Sequence, residues 1–221
     1  HTLKATVFSG KEKTYQAWYG LAEPLFTGNK TRIEEYADNL WLEGVERERF
    51  LNGNRRYNYY TYDNQTDNYT QTHAHLNYSY RPSTQLTFNS ALHYTRGAGY
   101  YEEFKPMSDL NDYGIDPIKV NGETIENTDL VRRRWLDNHF YGITYSLLYK
   151  PSNNLNFTFG GSYNQYKGDH YGEAVWADQV PESMLGKKYY FGHANKNDFN
   201  FFAKADYRLD KFLFNLDLQY R

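Results

Sequence analysis

The sequence predicts an all-β fold, an antiparallel transmembrane β-barrel segment of about seven up-and-down strands. Three observations carry that prediction. Apolar and polar residues alternate with period two along several segments, the mark of a strand with one wet face. Short polar turns alternate with long connections, as they do between the two ends of an outer-membrane barrel. The third is composition: hydrophobic residues are 39% and mean hydropathy is −0.91, yet 19% of the 221 residues are aromatic, with 24 Tyr and 14 Phe. Disordered chains are poor in aromatics, whereas a barrel needs amphipathic rings at its two interfaces and little continuous core.

The alternation is clearest from Leu86, where Leu86, Phe88, Leu92 and Tyr94 oppose Thr87, Asn89, His93 and Thr95, and from Phe212, where Phe214, Leu216, Leu218 and Tyr220 oppose Asn215, Asp217 and Gln219. Segments around 3–7, 76–80, 141–149, 155–163 and 199–207 follow the same rule. The turns at 81–85, 150–154 and 208–211 are short and polar, and each closes a hairpin. The remaining connections, about 10–67, 96–135 and 168–196, are expected as long external loops of a single partial barrel domain spanning 1–221, with no plug domain. Tyr80, Phe88, Tyr149, Phe157, Tyr207 and Phe212 sit beside the short turns, where an inner aromatic girdle is expected. Seven strands are too few and odd in number for a bacterial barrel, so the chain reads as a sector of a larger one.

Charge and motifs exclude several functions. A net charge of −2 offers no basic footprint for nucleic acid. Cysteine is absent, which removes disulfides and thiolate metal sites. No run of ~18 apolar residues predicts a membrane helix. No nucleophile elbow, phosphate loop or zinc-protease helix motif occurs, so no enzyme and no cofactor are expected. Glu102 and Glu103, adjacent on a strand, point to opposite faces and cannot share a substrate.

The candidate binding residues lie in the connections. From Ile33 to Leu51 apolar residues recur at near-helical spacing, predicting a short amphipathic helix that packs Trp41 and is interrupted or ended at Gly44. Arg55, Arg56, Tyr57, Tyr59 and Tyr60 combine cations with rings, a set suited to an anionic, partly planar ligand. Arg132, Arg133 and Arg134 form a second cationic run, suited to a ligand or to lipid phosphates. His73, His75 and His93 fall on adjacent strands and are expected to face a barrel lumen, with no metal. Asp169, His170 and Glu173, and the acidic stretch from Asp109 to Asp116, are weak metal-like patterns, the latter without the closing bidentate Glu of a calcium loop. Asn121-Gly122 predicts a two-residue hairpin turn.

Three strings, Phe8 to Gly20, Tyr62 to Tyr69 and Ala91 to Glu102, in their order and spacing, resemble the middle of the barrel in TonB-dependent outer-membrane receptors of the Bacteroides group. The resemblance implies a bacterial outer-membrane location, contact with membrane lipid, a plug domain and a TonB system as partners, and active uptake of a scarce small molecule such as a ferric siderophore-type chelate. The alternatives are a passive porin or surface adhesin barrel, and a soluble β-rich carbohydrate-binding module.

Overall fold

The computed structural model describes all 221 residues. In chain order the elements are β1 (Thr2–Tyr15), α1 (Glu23–Thr27), α2 (Lys30–Asn39), α3 (Gly44–Leu51), β2 (Thr66–Tyr80), β3 (Leu86–Asp109), β4 (Ile118–Val120), β5 (Glu123–Ile125), β6 (Asn127–Ser152), β7 (Leu155–Ala177), β8 (Lys188–Leu209) and β9 (Phe212–Tyr220). They form two compact units, one of residues 1–13 and 67–221, the other of residues 14–66.

The first unit is an open seven-stranded sheet in the order β1-β2-β3-β6-β7-β8-β9, and consecutive members from β2 to β9 pair antiparallel. Its outer members, β1 and β9, each have a single neighbour, so the sheet does not close. Together with the three helices this makes a mixed α/β chain and corrects the expected all-β transmembrane barrel. No helix is long and apolar enough to cross a membrane. The receptor resemblance, the outer-membrane location, the lipid, plug and TonB partners and the uptake of a ferric chelate depended on a barrel, and the open sheet removes that support. The physical reason is simple. Alternation reports a strand with one polar and one apolar face, and short turns report antiparallel neighbours. Neither reports pairing of the first strand with the last.

The strands also run further than alternation places them. β3 continues to Asp109, β6 begins at Asn127, β7 ends at Ala177 and β8 begins at Lys188, so most of the expected loops 96–135 and 168–196 is strand. Charged pairs and rings line these extensions and hide their period. The small cluster that closes this end packs Leu110, Tyr113, Ile115, Leu130, Ala174, Ala177 and Val180. The β4–β5 hairpin turns through Asn121 (φ 52°) and Gly122 (φ 89°), the left-handed pair that a two-residue turn requires.

In the second unit, Asn29 caps α2 by accepting from Arg32 N at 3.2 Å. Ile33 and Ala37 on α2 meet Leu25 and Phe50 in a buried core, with Leu42 and Tyr57 packed against it. The expected helix over 33–51 is thus two helices, with Gly44 (φ 54°) opening the second. Trp41 does not pack: it lies between them with φ 54° and 88% of its surface exposed.

Candidate functional site: a polar trough across the sheet

Because side chains alternate, each row of directly paired residues lies on one face. On the polar face one row reads Asn77, Ala91, Thr144, Ser162 and Asn200, from β2 through β3, β6 and β7 to β8. The next row reads Ser79, Asn89, Ser146, Gly160 and Phe202. With strands ~4.8 Å apart, the five positions span roughly 19 Å. Small residues at 91, 146, 160 and 162 leave a trough between the larger ones, with a volume of about 670 Å³. The ring of Phe202 lies against Gly160, where a Cβ would come within 2.6 Å of it.

The lining is neutral apart from Lys4 at the β1 end. Some of its polar groups hold each other: Ser79 Oγ donates to Asn89 Oδ1 at 2.8 Å, and Asn200 Nδ2 donates to Ser162 Oγ at 2.6 Å. Asn77, Thr144 and Ser146 form no side-chain hydrogen bond within the protein. The trough therefore offers amide and hydroxyl donors and acceptors, already oriented by the sheet, beside the Phe202 ring.

The sequence-predicted residues divide among three places. His75 and His93 occupy the row beside the trough, directly paired, with His73 one row further. All three share the polar face of the sheet. His93 Nε2 meets Asn164 Oδ1 at 2.9 Å, and His73 Nδ1 meets Thr95 Oγ1 at 3.0 Å. No group of three or more His, Cys, Asp or Glu is arranged to hold a metal ion.

Tyr57, Tyr59 and Tyr60 belong to the helical unit, where Tyr57 and Tyr59 line a second cleft with Arg49 and Glu46. Arg55 is not in that cleft: its Nε donates to Phe26 O at 3.2 Å and its guanidinium lies 4.7 Å from the Phe26 ring centre. Arg56 contributes a backbone N–H to Asn54 Oδ1 and is absent from the cleft wall.

Arg132, Arg133 and Arg134 are not a free cationic run. Arg132 pairs with Glu103 and Arg133 with Glu102, each at 2.7 Å, across directly opposed positions of β3 and β6. Arg134 Nε donates to the Tyr190 hydroxyl at 3.1 Å. Asp169 binds His193 at 2.6 Å, His170 meets Tyr166 at 3.2 Å, and Glu173 accepts from Trp135 Nε1 at 3.2 Å, so those three residues form no common site. Asp109 caps a 3₁₀ turn by accepting from Asn111 N.

Sequence reasoning missed the trough. Its only trace in the chain is the Asn, Ser, Thr and Gly content of the polar positions, and their alignment depends on the register of five strands. No known protein family matches the chain, and no curated protein matches it.

Proposed function

We propose that the protein is a non-catalytic, β-rich carbohydrate-binding module that holds a neutral glycan in the trough. The observation that carries this reading is the pair of cross-strand rows lined by Asn77, Asn89, Thr144, Ser146, Ser162 and Asn200. Sugar hydroxyls both donate and accept, and amides and hydroxyls answer both roles without the desolvation cost of a charge. Phe202 supplies an apolar surface for the C–H face of a pyranose ring. The absence of carboxylates from the lining favours a neutral chain over a cationic one.

The test is affinity electrophoresis of the whole chain in gels carrying neutral polysaccharides or polyuronates. Retardation by a neutral polymer, lost when Ser146→Trp fills the trough, is the expected result. Equal retardation of the variant, or no retardation by any neutral polymer, overturns the reading.

A further inference from the structure

The helical unit holds a second concavity that the glycan reading does not use. Its volume is about 320 Å³, at the small end of ligand clefts. Its walls are aromatic. Tyr36 stacks on Phe50 at 5.8 Å and 12°, Tyr57 stands edge-on to Phe50 at 5.4 Å and 82°, and Tyr19 meets Tyr59 at 4.7 Å and 61°. Rings set at steep angles present π faces to one small volume from more than one side.

Two charged side chains reach this cleft, one turn apart on α3. Arg49 is committed to the wall itself. Its Nη2 donates to Tyr59 O at 2.6 Å and to the Tyr57 hydroxyl at 3.4 Å, and the guanidinium lies 5.2 Å from the Tyr57 ring centre. Glu46 forms no hydrogen bond and no ion pair. Burial, and then the Glu46 carboxylate, raise the Tyr59 hydroxyl above its ordinary pKa, which places that negative charge beside the rings.

We infer that this cleft binds a compact organic cation of the quaternary ammonium class, the cation facing the rings of Tyr19 and Tyr59 with Glu46 as its counter-charge. Ring faces attract such cations through their quadrupoles, by about 0.5–1 kcal/mol at exposed sites and ~2 or more when water is excluded. A quaternary ammonium has no N–H to donate, so it asks of Glu46 only its charge and not a hydrogen bond. It does supply the apolar surface that five rings and Leu40 and Leu42 require.

Titration calorimetry of the whole chain with choline, and with its neutral isostere 3,3-dimethylbutan-1-ol, tests this. Choline is expected to bind at least tenfold more tightly than the isostere. Glu46→Gln, a change at an exposed position, is expected to weaken choline at least tenfold while leaving the isostere unaffected. Tyr59→Leu should weaken choline with the helical circular-dichroism signal unchanged. Ser146→Trp should leave choline binding intact, which separates this site from the glycan trough. Equal binding of the two compounds, an unaltered affinity in Glu46→Gln, or no choline binding overturns the inference.

Discussion

Arg132 and Glu103 face each other across β6 and β3, Nη2 to Oε2 at 2.7 Å, with the Glu103 side chain only 7% exposed. Removing one member of such a pair leaves a buried charge without its partner, which costs ~3–5 kcal/mol. Glu103→Ala is therefore expected to lower stability by about that amount in urea unfolding. The double variant Glu103→Leu with Arg132→Met, which removes both charges and keeps volume, should recover most of the loss. Equal instability of single and double variants would show that packing, not charge, holds this position.

Tyr189 carries a hydroxyl that is buried beside the Leu110 cluster and lacks a hydrogen-bond partner. Burial pushes its pKa from 10.0 up to about 12. Between those values the folded chain keeps a proton that the unfolded chain has released, so stability falls as pH rises from 10 towards 12. Ultraviolet titration of tyrosinate should show a late step that Tyr189→Phe abolishes. The same substitution removes an unsatisfied buried group and should stabilise the protein near neutrality by on the order of 1 kcal/mol.

Asp217 on β9 accepts from Lys204 on β8, with an N–O distance of 2.8 Å, and that hydrogen bond lowers its pKa below 3.8. The contribution is complete above the unfolded value and is lost as pH falls through the lower folded one. Both groups are exposed, so the effect is local: amide exchange in β9 should speed up in acid relative to β7. Asp217→Asn should remove the acid dependence of β9 and leave β7 unchanged.

Gln16 is 2% exposed, and neither of its side-chain amide atoms has a partner. Its backbone holds the helical unit together, donating to Gln65 O at 2.9 Å and accepting from Asn58 Nδ2 at 2.8 Å. Gln16→Met keeps these backbone bonds and removes the unsatisfied amide. Thermal unfolding should shift upward, by the equivalent of ~1–3 kcal/mol.

Gly142 lies in β6 beside the two paired histidines, and a Cβ there would come within 2.3 Å of Tyr163 O. Backbone oxygen cannot swing aside as a side chain can. Gly142→Ala should cost about 1–3 kcal/mol and disturb the His93–Asn164 hydrogen bond, visible as a shift of the His93 ring resonances.

What the sequence made legible was local. Alternation located the strand segments around Leu86, Tyr141 and Phe212, and Asn121-Gly122 located a turn whose backbone demands those residues. Helical spacing around Ile33 found α2 and the vicinity of α3, while the left-handed backbone at Trp41 was invisible because it arises from the tight link between two helices. Closure was misread because a meander and a barrel sector share the same local pattern. The three consecutive arginines looked like a surface, since their partners Glu102 and Glu103 lie some thirty positions earlier. The trough draws on residues from Asn77 to Asn200, and only strand alignment brings them into line.

That alignment is not guarded by its ion pairs. Glu102 and Glu103 are consecutive, as are Arg133 and Arg132, so the two ion pairs stand on opposite faces of the same two strands. A slip of one residue between β3 and β6 would transfer every side chain of one strand to the other face, yet in one direction it would set Glu102 against Arg134 and Glu103 against Arg133. The two bonds thus tie the strands together without by themselves fixing their register. The third arginine gives a slipped sheet a second way to satisfy both carboxylates, so the alignment that builds the trough is decided elsewhere along these strands.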